Sequence, residues 1–201
     1  MTETKVKKTD PQERIISGCS IRAMEGEGNE RKFTISFSSE EPYERWWGTE
    51  ILSHNEGAVD LTRLNTIGCV LFNHDRNKVI GKILSAKVED MRGIAEIEFD
   101  NDEESTVIYE KVKSGTLKGV SVGYVVDVWE EVAKGKTSMD GRFQGECSIA
   151  EKWTPYEVSI VSVPADPTVG VGRSAAEQND DDGVSGLYFV ERQLQINKNK
   201  I

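Results

Sequence analysis

The sequence predicts an α+β domain that is rich in strands and carries one well-defined helix. Three stretches lead to that class. In RKFTISFS, Phe33, Ile35 and Phe37 alternate with polar residues, and in RGIAEIEFD Ala95, Ile97 and Phe99 do the same. That is the period of a strand with one buried face. In NDEESTVIYEKVKSG, Asn101 or Asp102 can cap a helix, and Glu103 and Glu104 suit its positive end. Val107, Ile108, Lys111 and Val112 follow at helical spacing, and Gly115 supplies the stop.

Residues 1–12 hold little apolar pattern and read as a disordered arm. The β-rich part begins near Ile15. WWGTEIL is apolar enough for a short strand, with Trp46 and Trp47 expected in the core. GAVDLTRLN spaces Val59, Leu61 and Leu64 as a short helix would. KVIGKILSAKVED reads as a further strand, with Gly81 at a bulge or a close approach. LKGVSVGYVVDVWEEV places Val120, Val122, Tyr124, Val126 and Val128 on one face. Ser121, Gly123, Val125 and Asp127 fall on the other. A turn over Ser138–Gly141, containing Asp-Gly, leads to a strand expected from about Phe143. EKWTPYEVSIVSVPADP is the last structured segment, closed by Pro164 and Pro167. After Gly172 the composition turns polar and rich in Asp, Ser, Ala and Gly, so residues 173–201 read as a linker and tail.

The chain has 201 residues, 30% of them charged and 37% hydrophobic, which is a globular mixture able to bury a core. No apolar run is long enough to span a bilayer, and the polar N-terminus does not resemble a secretion signal. A cytoplasmic location is expected. The net charge of −10 argues against a nucleic-acid binder, since phosphates repel such a surface. Cys19, Cys69 and Cys147 are odd in number and far apart, so reduced thiols are expected rather than a disulfide framework or a zinc site.

Acyl transfer needs a nucleophile, a base, an orienting group and donors for the oxyanion. The histidines are His54 and His74. His54, in the polar LSHNEG, is expected at the surface. His74, in VLFNHDRNK, follows an apolar run and precedes a charged loop, so it sits at a strand end, where a side chain is both held and reachable. It can serve as a base, or be an ordinary solvated histidine. Asp75 adjoins it, but neighbours on an extended chain point apart. Ser121 lies between Gly119 and Gly123, whose small size leaves room for a substrate; equally, it is a serine on the polar face of a strand. Glu157 stands among apolar neighbours, where a carboxylate either finds a partner or faces solvent. Asp166 reads as a turn residue.

Taken together, VLFNHDRNKVIGK, SGTLKGVSVGY and EVSIVSVPADP resemble, in that order and with similar gaps, the motifs of the tailed-phage prohead protease family. That family is distantly related to the herpesvirus assembly protease. VDLTRLNTIGCVLFNHD also resembles the family's lead-in to its histidine. The resemblance covers roughly residues 15–172 and implies a protease domain over 13–172. Its fold would be a mainly antiparallel β-barrel or closed sheet with a few surrounding helices, herpesvirus-protease-like.

The resemblance also implies roles. Ser121 would attack the scissile carbonyl, and His74 would take its proton and return it to the leaving amine. Glu157 would orient the imidazole, a place held by a second histidine in the herpesvirus relatives. Backbone amides are the expected oxyanion donors, since no arginine pair matches the herpesvirus motif. Such an enzyme needs no metal or other cofactor. It would cleave scaffold protein, or the scaffold segment of the major capsid protein, inside the assembling procapsid in the host cytoplasm. Self-association is expected by analogy with the herpesvirus enzymes. The Arg173–Ser185 stretch is a candidate for self-processing. Two rivals are kept: a non-catalytic capsid-assembly module with the same fold, and a cysteine enzyme using Cys69 or Cys147. Membrane and nucleic-acid partners are not expected.

Overall fold

The computed structural model describes residues 11–15 and 21–162. Ten strands and two helices occur among them, in the order β1 (Gln12–Ile15), β2 (Ile21–Ala23), β3 (Lys32–Ser39), β4 (Tyr43–Arg45), β5 (Gly48–Leu52), α1 (Thr62–Ile67), β6 (Cys69–Phe72), β7 (Asp75–Glu89), β8 (Arg92–Phe99), α2 (Glu103–Lys113), β9 (Gly119–Val132) and β10 (Cys147–Val161). The expected arm falls outside the described residues except for Pro11 and Gln12, the latter opening β1. The expected linker and tail lie wholly outside them, as do Cys19, Pro164, Asp166 and Pro167.

One mixed sheet runs β1-β9-β10-β6-β7-β8-β3-β2, with β5 added in parallel to β10 and β4 to β5. The fold is mostly β with few helices, as the alternating patterns predict. The sheet curls into a half-barrel rather than closing. Its path ends at β1 and β2, of four and three residues, and among the described residues no ladder joins them. Most pairings are antiparallel, but β10 runs parallel to both β5 and β6.

The inward residues are those the period-two patterns select. Phe33, Ile35 and Phe37 of β3, Ala95, Ile97 and Phe99 of β8, and Val120, Val122, Tyr124 and Val126 of β9 are all buried. Val128 breaks the row at 45% exposure, because the β9–β10 ladder shifts register on either side of its partner Lys152. Gly81 marks a close approach as expected: a Cβ there would stand 2.4 Å from the Glu98 carbonyl oxygen across the ladder. Asp102 caps α2, accepting from the Ser105 amide at 3.0 Å. Ile108, Tyr109 and Val112 bury the helix's inner face, whereas Val107 is exposed. Tyr109 meets Phe33 and Phe99 instead.

Other placements differ from the sequence expectation. Trp46 is exposed, and Trp47 is half-buried edge-on against Trp129. Both are the central residues of the turn that joins Arg45 to Gly48 at the tip of the β4–β5 hairpin. α1 begins at Thr62, since Val59 is held in a bridge to Trp153. The Ser138–Gly141 turn forms, but the following strand starts at Cys147. His54 is not a surface residue. It is 2% exposed, its Nε2 lies 2.7 Å from Ser38 Oγ and its Nδ1 2.9 Å from the Leu52 carbonyl oxygen, and its ring stands edge-on to Trp153. Burial holds its pKa down at about 4, so it stays neutral and joins the core as a polar staple.

Candidate functional site

The central strands carry the site. Ser121 lies near the start of β9, and Ser159 of β10 is its ladder partner, with Glu157 opposite Gly123. Glu157 and Ser159 are two apart on one strand, so both carry side chains on the face that Ser121 uses. β6 runs parallel along the other edge of β10, with Phe72 beside Ile160.

There the chain reverses in two residues. Asn73 and His74 both have positive φ, 53° and 59°, between the paired ends Phe72 and Asp75. That is the form of a tight hairpin with two left-handed central residues, in which asparagine is favoured. His74 is therefore in a turn, and the expected charged loop is the start of β7. The turn is tied down from three sides. The Asn73 amide donates to the Ile160 carbonyl at 2.9 Å, Asn73 Oδ1 accepts from the Ser162 amide at 2.9 Å, and the His74 amide donates to Ser159 Oγ at 3.2 Å.

The turn swings the imidazole back over β10 and β9. His74 Nδ1 lies 2.6 Å from Glu157 Oε1, and His74 Nε2 lies 2.7 Å from Ser121 Oγ. Ser159 Oγ donates to Glu157 Oε2 at 2.7 Å, which holds the carboxylate's other oxygen. The three residues singled out from the sequence thus meet in one line of hydrogen bonds. Asp75 is not part of it, and accepts instead from the Asn77 amide. Burial alone would lower the His74 pKa, but Glu157, and more weakly Glu13, outweigh it and hold it above the ordinary histidine value.

The glycines beside Ser121 have a different use from the one expected. A Cβ at Gly123 would stand 2.4 Å from Glu157 Oε1 and 2.7 Å from the Tyr156 ring, and one at Gly119 would stand 2.8 Å from Val161. They admit the side chains of β10, not a substrate. Ser159 was not singled out, although the Glu-x-Ser spacing already put it on Glu157's face. Nearby, a groove of about 400 Å³ runs beside Glu157 between Pro11, Arg63, Arg76 and Tyr156.

Cys69 borders the same groove, where burial and the Glu157 carboxylate push its thiol pKa up; burial and Glu130 and Glu131 do the same to Cys147. Neither thiol is activated, which disfavours the cysteine-enzyme rival. Among the described residues no group of three or more His, Cys, Asp or Glu is placed to hold a metal ion, and no helix is long and apolar enough to cross a membrane.

A hydroxyl, an imidazole and a carboxylate in one line are the arrangement that acyl transfer through a serine requires. Comparison with known families agrees with that class: residues 45–181 match the Caudovirus prohead serine protease family. The match spans more than half of the chain, and the chain belongs to that family. It is also 33% identical over 163 residues to a protein of Halomonas phage phiHAP-1 named "Major capsid protein". The aligned part is 79% of this chain but 26% of that relative, so the chain spans about a quarter of its length. No solved structure matches.

Proposed function

We propose that the chain is a serine endopeptidase of phage procapsid maturation, with Ser121 as nucleophile, His74 as general base and acid, and Glu157 as the group that orients His74. The observation that carries this reading is the continuous line Glu157–His74–Ser121 at 2.6 and 2.7 Å. In the attacking step the Ser121 proton passes to Nε2 while Oγ bonds to the scissile carbonyl carbon. The imidazolium, stabilised through Nδ1–H by Glu157, then protonates the departing amine. Water repeats the cycle on the acyl-enzyme and releases the second product. Ser159 keeps Glu157 in the orientation that fixes this tautomer.

The substrates under this reading are the scaffold protein or the scaffold segment of the major capsid protein, met inside the assembling procapsid in the host cytoplasm. The family membership and the relative's capsid-protein name support a capsid partner. The protease domain would run over residues 13–172, followed by a linker and tail over 173–201. Self-cleavage within Arg173–Ser185 belongs to the same proposal, and mass spectrometry of long-incubated enzyme with an intact C-terminus would remove it. The herpesvirus-protease-like class is proposed for the fold on the order of the three motifs. The relative's name also keeps alive a second reading, a capsid-assembly module that retains the fold without catalysis. Co-expression with the capsid and scaffold proteins separates the two. Wild type should give cleaved products and Ser121→Ala none; identical products from both would refute the role of Ser121.

A further inference from the structure

Ser121 is fully buried, and what covers it is the N-terminal strand β1. β1 pairs antiparallel with the free edge of β9, with Arg14 opposite Val122 and Ile15 opposite Ser121. Ser121 Oγ donates to the Arg14 carbonyl oxygen at 2.9 Å, and Glu13 reaches to 3.9 Å of His74 Nε2. The Arg14 side chain takes the opposite face and is itself 2% exposed. It enters a pocket in which Nη2 donates to the Glu41 carbonyl, the guanidinium lies over the Tyr43 ring at 5.2 Å, and Nη1 stands 3.6 Å from Glu50 Oε1.

Glu50 is 0% exposed. Its Oε1 accepts from Arg45 at 3.3 Å and from the Tyr124 hydroxyl, while Oε2 has no hydrogen-bond partner, nor do Nε and Nη1 of Arg14. A carboxylate with one oxygen left over in a closed space is costly, and it can be satisfied by a guanidinium seated as a fork on both oxygens. Arg14 fills the pocket without completing it. Its strand also lies outside residues 45–181, the stretch that matches the family. β1 thus has the geometry of a segment laid into a cleft by strand addition.

Resting on the reading of Ser121 as nucleophile, we propose that the Glu50 pocket is a specificity pocket for an arginine side chain of an extended polypeptide substrate, and that Arg14 of the chain itself occupies it. The arginine's carbonyl is thereby delivered to Ser121. With β1 in place the site is at rest. A hydroxyl carries one proton; while Ser121 gives it to the Arg14 carbonyl, His74 Nε2 must donate, which is the charged imidazole that Glu157 and Glu13 favour. A substrate strand replaces β1 and uses the same floor.

The test uses the full chain carrying Arg14→Ala and Ser121→Ala, titrated by fluorescence anisotropy with a labelled octapeptide copying residues 9–16. A second peptide carries citrulline, neutral and of the same shape, in place of the arginine. The arginine peptide should bind at least about tenfold more tightly than the citrulline one, the scale of one charge-assisted contact. Adding Glu50→Gln should abolish the difference. Restoring Arg14 should weaken binding of the peptide by competition. Equal affinity for the two peptides, or no effect of restoring Arg14, overturns the proposal. Because citrulline changes only the ligand, the answer does not depend on whether Glu50→Gln folds. Labelling of the Arg14→Ala chain with a small fluorophosphonate separates the two levels. Labelled Ser121 without arginine preference sinks the pocket alone. Arginine preference without labelling sinks the catalytic reading and leaves Glu50 as a peptide-binding site.

Discussion

Replacing Glu157 by glutamine tests the site most directly, because it changes two observables that move independently. In the folded protein the carboxylate lies 2.6 Å from His74 Nδ1 and raises the imidazole pKa against the lowering effect of burial. Since the attacking state needs neutral His74, the rate of the wild type should climb with pH through a value above the ordinary histidine pKa. In Glu157→Gln the larger raising interactions are gone while burial and the weaker pull of Glu13 remain, so the rise should move toward acid. The plateau should fall by about 10²–10⁴-fold, because the amide can hold the wrong tautomer and no longer stabilises the imidazolium. The second-order rate of fluorophosphonate labelling of Ser121, followed from pH 4 to 9, reads both without knowledge of the natural cleavage site. An unshifted acid limb in the variant would refute the coupling of Glu157 to His74. An unchanged plateau would refute its role in catalysis.

Other substitutions probe the frame around the line. Gly123→Ala puts a methyl group 2.4 Å from Glu157 Oε1, so the carboxylate must retreat by about 1 Å and labelling should slow by about 10²-fold, with far-ultraviolet dichroism unchanged; a wild-type rate would contradict the packing described. Ser159→Ala removes the donor to Glu157 Oε2 and the acceptor of the His74 amide, and should slow labelling about tenfold, the scale of about one hydrogen bond. His54 predicts a pH dependence of stability that is separate from catalysis. Its folded pKa of about 4 lies below the ordinary 6.5, so stability is complete above pH 6.5 and declines toward pH 4 as the unfolded chain takes up a proton, by about 3 kcal/mol. Urea midpoints of His54→Gln should decline less over that window, and equal slopes would count against a neutral buried His54.

Much of this was legible in the chain because strand alternation is local information. Phe33, Ile35, Phe37, Ala95, Ile97 and Phe99 are buried as the period-two pattern requires. Ser121 and Glu157 could be named only through the motif order, since strand pairing across 36 positions leaves no periodic trace. What misled the reading was always a tertiary effect. His54 sits in polar sequence, but its ring packs edge-on against Trp153; Trp46 is apolar, but it stands exposed at the tip of a hairpin. Gly123 gave the right signal of space kept open and the wrong occupant, the Glu157 and Tyr156 side chains instead of a substrate, because which strand would lie alongside was not written locally. Nothing near Arg14 suggested that it would be buried beside Glu50, 36 residues away.

The four polar residues of the site are not positioned by equal means, and that bears on where it is vulnerable. Ser121, Glu157 and Ser159 stand on adjacent strands of one ladder, so their separations follow from strand spacing and are as rigid as the sheet. His74 alone arrives from outside the ladder, on a turn whose left-handed backbone is uphill for a histidine by about 1 kcal/mol. What offsets that strain is the set of bonds made by Asn73 and the His74 amide to Ile160, Ser162 and Ser159. Asn73 is therefore a positioning residue, for two reasons: asparagine tolerates the left-handed turn, and its side-chain oxygen ties the turn to the end of β10. The imidazole depends on a residue that touches neither Ser121 nor Glu157. Loss of that tether would loosen the base while leaving the nucleophile, the carboxylate and the sheet that carries them where they are.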